Sequence, residues 1–250
     1  MVRVRMKIVV PDDFQTLEEA VDSVRGDDRL TTIVVRKGTH NVGTPPRFGG
    51  VLSIRFPMTI IGEGKVVING GLDIEIPQGD VHIQNVILCQ SQGVGVGFYH
   101  LPYGVRGLGH LSLENVTVQK AFGFGGIVVD NTTCEFTNVK VLECLGEGLA
   151  LSNASVTLKG AATEIFNNNF GVIVDYRSQL ELEYPLTKEK VFYHNGRFSG
   201  GVFSGLSTLI GNAAGHPNTN WNESEVGQIR VNRQPSGQST GGDQSSKLRF

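Results

Sequence analysis

The sequence predicts an all-β fold, a right-handed parallel β-helix (a solenoid) opened by an N-terminal capping helix. Two independent repeat frames and the absence of interspersed helices predict it. The first frame is the pattern apolar-x-apolar-x-Asn-Val-x-apolar. It recurs in Val81–Leu88, Leu111–Val118 and Cys134–Val141, with a weaker copy at Val156–Thr163. Asn115 and Asn138 are 23 residues apart, and Asn138 and Gly160 are 22. Self-similarity at this period marks a chain whose repeats bury their apolar faces only against their neighbours. The second frame starts at Gly126, Gly148 and Gly171, each followed by a β-branched or aliphatic run, with spacings of 22 and 23. The two frames agree, so the turn register is defined twice.

The elements follow in chain order. Residues 1–30 read as a cap. Ile8-Val9-Val10 is a short strand, and Thr16-Leu17-Glu18-Glu19 has the form of a capping box. Leu17, Ala20, Val21 and Val24 fall at helical spacing, and Gly26 closes the helix. Such a helix covers the first open end of a solenoid, where apolar surface and unpaired strand edges would otherwise face water. From Thr32 short β-branched strands bounded by glycine take over. No strand–helix alternation is present, which removes a doubly wound fold. The solenoid is expected over residues 31–214, in roughly eight turns of about 22–23 residues. Residues 215–250 form a polar tail, rich in Ser, Gln and Gly between Ser236 and Ser246.

Asn85, Asn115 and Asn138 recur at one place in the repeat. Asn tolerates the left-handed backbone of a tight corner, and stacked amides can hydrogen-bond along an axis. Asn167-Asn168-Asn169 is expected to be another turn.

Composition narrows the function classes. The chain has 250 residues, 39% hydrophobic and 18% charged, enough apolar material for a continuous core. Its net charge of −2 carries no basic footprint for nucleic acid. No stretch approaches the ~20 apolar residues of a membrane span. The three cysteines, Cys89, Cys134 and Cys144, form neither a disulfide framework nor a metal-ligand spacing, which favours an intracellular, reducing setting. The six histidines are scattered outside any zinc motif, so no metal and no cofactor is expected.

Asp13-Phe14-Gln15-Thr16-Leu17-Glu18-Glu19-Ala20-Val21 is similar to the pattern D-F-x-T-I-x-E-A-V. Ile33-Val34-Val35-Arg36-Lys37-Gly38-Thr39-His40 resembles I-x-V-K-x-G-T-Y, and Thr59-Ile60-Ile61-Gly62-Glu63-Gly64 resembles x-L-I-G-x-G. With these motifs the opening hundred residues resemble the pectin methylesterase-like and pectate-lyase-like families, the first motif being their capping helix. The resemblance implies a parallel β-helix over residues 8–210. It transfers no catalytic residue, because the esterase, polygalacturonase and lyase signatures of these families are missing.

Two sets of candidate residues remain. Asp130 and Asp175 end equivalent strands two turns apart, and Arg177 follows the second. Stacked strands lie about 4.8 Å apart, so the carboxylates would be roughly 9–10 Å apart. An inverting glycosidase separates its pair by roughly 6.5–9.5 Å. Equally, Asp is common where strands meet turns. The second set occupies an insertion: Asn85 to Asn115 spans 30 residues, seven or eight more than one turn needs. Phe98, Tyr99, His100, Tyr103, Arg106 and His110 bring aromatic and cationic groups to that loop, which suits a sugar ring or a protein partner. The expected function is a non-catalytic binding or structural solenoid that recognises a polysaccharide or protein along its sheet face. The alternative is a polysaccharide-active lyase, hydrolase or epimerase using carboxylates on adjacent turns.

Overall fold

The computed structural model describes residues 6–24, 31–43, 50–76, 79–91, 96–98, 110–122, 125–175, 177–196, 207–210 and 228–232. They form a parallel β-solenoid. The chain opens with β1 (Met6–Val10) and α1 (Leu17–Ser23). The first turn contains β2 (Thr31–Asn41) and β3 (Val51–Ile54), and the second contains β4 (Met58–Asn69) and β5 (Gly71–Ile74). In both turns one long strand bends across a corner and serves two faces. The third turn is β6 (Asp80–Gln84), β7 (Ile87–Cys89) and β8 (Val96–Phe98). The fourth is β9 (His110–Glu114), β10 (Thr117–Gln119) and β11 (Gly125–Asp130). The fifth is β12 (Thr133–Thr137), β13 (Lys140–Leu142) and β14 (Glu147–Ser152). The sixth is β15 (Ser155–Lys159), β16 (Glu164–Phe166) and β17 (Phe170–Asp175). A partial seventh has β18 (Gln179–Leu182), the short α2 (Lys188–Val191) and β19 (Phe192–Tyr193). Two further strands, β20 (Ser207–Ile210) and β21 (Gln228–Val231), pair with β17 and β18.

Among the described residues six turns are complete, not the eight expected from dividing the solenoid by its period. Turn length is uneven. Paired core residues Ile33, Ile60, Ile83, Leu113, Phe136, Leu158 and Leu182 are separated by 27, 23, 30, 23, 22 and 24 residues. After Leu182, α2 interrupts the turn before β19 resumes the second face.

Three faces result. The first stacks β1, β2, β4, β6, β9, β12, β15, β18 and β21; the second stacks the far ends of β2 and β4 with β7, β10, β13, β16 and β19; the third runs from β3 to β20. Strand pairing reproduces the sequence frame residue for residue: Val81 pairs with Leu111, Leu111 with Cys134, and Cys134 with Val156. Alternate residues point inward, and the column from Ile33 to Leu182 is buried throughout. Each inward layer adds apolar area worth about 25 cal/mol per Å² removed from water.

The corners explain the recurring Asn. Asn85, Asn115 and Asn138 sit at φ of 58, 53 and 54°, in the left-handed region. Asn115 Nδ2 donates to Asn85 Oδ1 at 3.1 Å, and Asn138 Nδ2 to Asn115 Oδ1 at 3.2 Å. Gly160 ends this ladder: a Cβ there would lie 2.2 Å from Asn138 Oδ1. A second corner uses Gln90, Lys120, Glu143, Asn167 and His194, all at positive φ. A third uses Asn131 and Asn153, whose amides are linked at 2.5 Å. Gly148 of the second frame answers to close approach, since a Cβ there would stand 2.4 Å from Ile165 Cγ2.

At the amino end the capping box is complete. Thr16 Oγ1 accepts from Glu19 N, and the Glu19 carboxylate accepts from the Thr16 backbone N–H. Leu17, Ala20, Val21 and Val24 are buried, as their spacing predicts. Gly26, the closing residue expected from sequence, and the Ser236–Ser246 tail lie outside the described residues.

Candidate functional site

The register places Asp130 opposite Ser152, and Leu151 opposite Val174, the residue before Asp175. Asp130 and Asp175 therefore end equivalent strands two rows apart. Asp130 is half-buried, Arg177 is exposed, and Asp175 is described in backbone only, where it pairs with Ser207.

In sequence the insertion falls between β8 of the third face and β9 of the first. Phe98 pairs with Val129, and His110 with Thr133; the first interval spans 12 residues and the second 4, a surplus of eight. Tyr99, His100, Tyr103 and Arg106 lie outside the described residues, and Phe98 is described in backbone only. His110 is half-buried, starts β9, pairs with Asp80, and its N–H donates to Gly79 O at 3.0 Å.

Around His110 the first face carries a patch that the sequence reading did not single out. Its outward residues are Asp80, His82 and Gln84 on β6 and His110, Ser112 and Glu114 on β9, paired in that order. His82 Nδ1 lies 3.0 Å from Ser112 Oγ, and His82 Nε2 lies 4.0 Å from Glu114 Oε2. His82, Gln84, Ser112 and Glu114 fill the unspecified positions of the apolar-x-apolar-x-Asn frame, and Asp80 and His110 immediately precede it, so the aligned copies carry the signal. Two turns on, Lys159 Nζ bridges Glu135 at 3.1 Å and Glu183 at 3.8 Å. The hydrogen bond to Glu135, helped by the charge of both glutamates, raises the Lys159 pKa.

The second face ends in an aromatic platform. Phe166 and Tyr193 stack with ring centroids 5.0 Å apart and planes 4° from parallel. Their backbones pair directly, so the stack is a consequence of strand register. One position along, Lys140 donates to Glu164 at 2.8 Å. Partial burial, followed by the charge and hydrogen bond of Glu164, raises the Tyr193 pKa. A cleft of about 390 Å³ opens here, where α2 leans against β16 and β19; Thr163, Glu164, Leu186, Lys190 and Tyr193 line it. The cause is legible: Thr187 caps α2 by accepting from Lys190 N, and Leu186 and Val191 are buried beneath it.

The three cysteines are free and buried, and burial raises the thiol pKa of Cys144 to about 11 and that of Cys134 higher still. Among the described residues no group of three or more His, Cys, Asp or Glu side chains is placed to hold a metal ion. No helix among them is long and apolar enough to cross a membrane. No protein-family model matches the chain, and neither the curated proteins nor the solved structures contain a match.

Proposed function

We propose that this chain is a binding solenoid that recognises an extended polymer along its sheet faces, a polysaccharide in preference to a protein. The observation that carries the reading is the Phe166–Tyr193 platform beside a cleft of about 390 Å³. A flat aromatic pair flanked by a carboxylate, an ammonium and a hydroxyl offers an apolar sugar face and its hydroxyls complementary partners. The cleft volume falls within the roughly 300–1,000 Å³ typical of ligand sites. Turns repeating at about 4.8 Å give a polymer successive, similar rows to contact. The charged side chains favour a structural role, since Glu135, Glu164 and Glu183 are each engaged by a lysine. We also infer kinship with the pectate-lyase-like solenoids; the capping box and the opening strand motifs support it.

The rival reading is a polysaccharide-active enzyme using Asp130 and Asp175, with Arg177 holding an acidic sugar. Shared register two rows apart is what favours it.

Affinity electrophoresis against neutral and acidic polysaccharides tests the binding reading. Retardation of the wild-type protein by at least one polymer is expected. Tyr193→Ala should weaken it about tenfold, the equivalent of about 1.4 kcal/mol. Retardation undiminished in both Tyr193→Ala and Phe166→Ala, or absent with every polymer, sinks it. Release of unsaturated or reducing ends from the same incubations, lost in Asp130→Ala, would install the rival.

A further inference from the structure

We infer that Ser112, His82 and Glu114 form an acyl-transfer site on the first face, with small carboxylic esters as substrates. His82 and Ser112 are direct cross-strand partners, and their side chains already meet at 3.0 Å. When Nδ1 accepts the Ser112 hydroxyl proton, Nε2 carries the other ring hydrogen and faces Glu114 Oε2 at 4.0 Å. That gap is longer than a hydrogen bond, and catalytic contacts of this kind often tighten only once substrate is bound. The order is nucleophile, base and orienting carboxylate, the arrangement that defines such sites by geometry and role rather than by chain position.

The surroundings fit. The side chains of His82 and Glu114 are 31% and 42% exposed, so an ester can reach them without a channel. Glu135, on the row after Ser112, is engaged by Lys159, which offsets its charge near the developing oxyanion. Thr59 pairs with His82 and Gln84 with Glu114, and they bring uncharged donors to the same face.

The chemistry balances without a cofactor. Ser112 Oγ bonds to the ester carbonyl carbon while its proton passes to His82 Nδ1. The ester C–O bond then breaks, and the departing alkoxide takes that proton and leaves as an alcohol. Water attacks the acyl-serine and gives a proton to His82; the Oγ–carbon bond breaks, the carboxylic acid leaves, and Ser112 regains its hydrogen. Glu114 holds the imidazole ring and stabilises its charged form. It is a positioning residue.

The test uses a small fluorophosphonate, which transfers phosphorus to a nucleophilic serine with loss of fluoride, and p-nitrophenyl acetate as the ester. Peptide mapping should place the adduct on Ser112. Ser112→Ala should abolish it, and His82→Ala should slow it at least tenfold. Glu114→Gln should lower the kcat for the ester several-fold with KM little changed, whereas a merely structural loss would shift the melting temperature instead. A second variant guards against a folding artefact. Ser112→Cys should react with iodoacetamide faster than the buried native cysteines, and lose that advantage when combined with His82→Ala. No adduct on Ser112 in the wild-type protein, or labelling indifferent to His82→Ala, overturns the assignment.

Discussion

Asn168 serves several buried polar groups at once. Its Oδ1 accepts from Cys144 N at 3.0 Å. Its Nδ2 donates to Val141 O at 3.0 Å and to Asn195 Oδ1 at 3.2 Å, and its backbone N–H reaches the same Asn195 oxygen. Asn195 continues the chain of bonds by donating to Ile165 O. Both side chains are fully buried at the second corner, in the residue just after the left-handed position. A buried amide of this kind is tolerated because its bonds are made; removing it strands the partners. Asn168→Ala leaves the Cys144 N–H and the Val141 carbonyl without this partner. Each unsatisfied group costs about 1–3 kcal/mol, so a loss of at least about 2 kcal/mol is expected. A urea unfolding midpoint lowered at constant slope would register it; an unchanged midpoint would mean that another group takes over these bonds.

At the scale of single strands, β14 carries an electrostatic cost. Glu147 pairs with Gly125 on one side and Phe170 on the other, and its partial burial raises its carboxyl pKa. A carboxyl with a raised folded-state value binds its proton more tightly folded than unfolded. The cost of ionising it is therefore absent below the unfolded value, near 4.3, and complete above the folded one. Glu147→Gln should raise the melting temperature at pH 7. The gain should shrink as pH falls through the raised folded value and vanish below the unfolded one. Melting curves between pH 3 and pH 7 check the sign. Much at this scale was legible in sequence. The helix α1, its capping box and the strands of turns three to six follow from periodicity, since each places apolar residues at a spacing that only one element satisfies. The patch at His82 and Ser112 was legible too, in the outward positions of the aligned repeats. What was not legible has local causes. α2 is four residues long, too short for periodicity to mark it. Asn168 reads as a turn residue, and only the corner geometry turns its side chain inward. The Phe166–Tyr193 stack needs the register across α2, which no repeat spans.

For the whole molecule, the solenoid's energetics are those of a one-dimensional stack, each turn stabilised by its two neighbours. Its ends are where such a stack is vulnerable, because an uncovered parallel strand presents free N–H and C=O groups to any other chain. At the amino end α1 packs against β1 and β2. At the carboxyl end the device differs: every described strand pair is parallel except that between β17 and β20. Reversing direction there places Ser207–Ile210 along Asp175–Val172, while on the first face β21 covers β18 in parallel. On the third face β20 is the last described strand of its sheet, so the parallel stacking ends there. Truncation after Gly196 removes both covering strands and opens the edges of β17 and β18. The truncated protein should form dimers or larger species by light scattering coupled to size-exclusion chromatography. Ile173→Lys on the outward side of β17 should return it toward a monomer, because a charge on an edge opposes strand addition. If the truncated chain instead stays monomeric and melts where the full chain does, β20 and β21 are dispensable, and the end of the stack is protected by the sixth turn and the partial seventh alone.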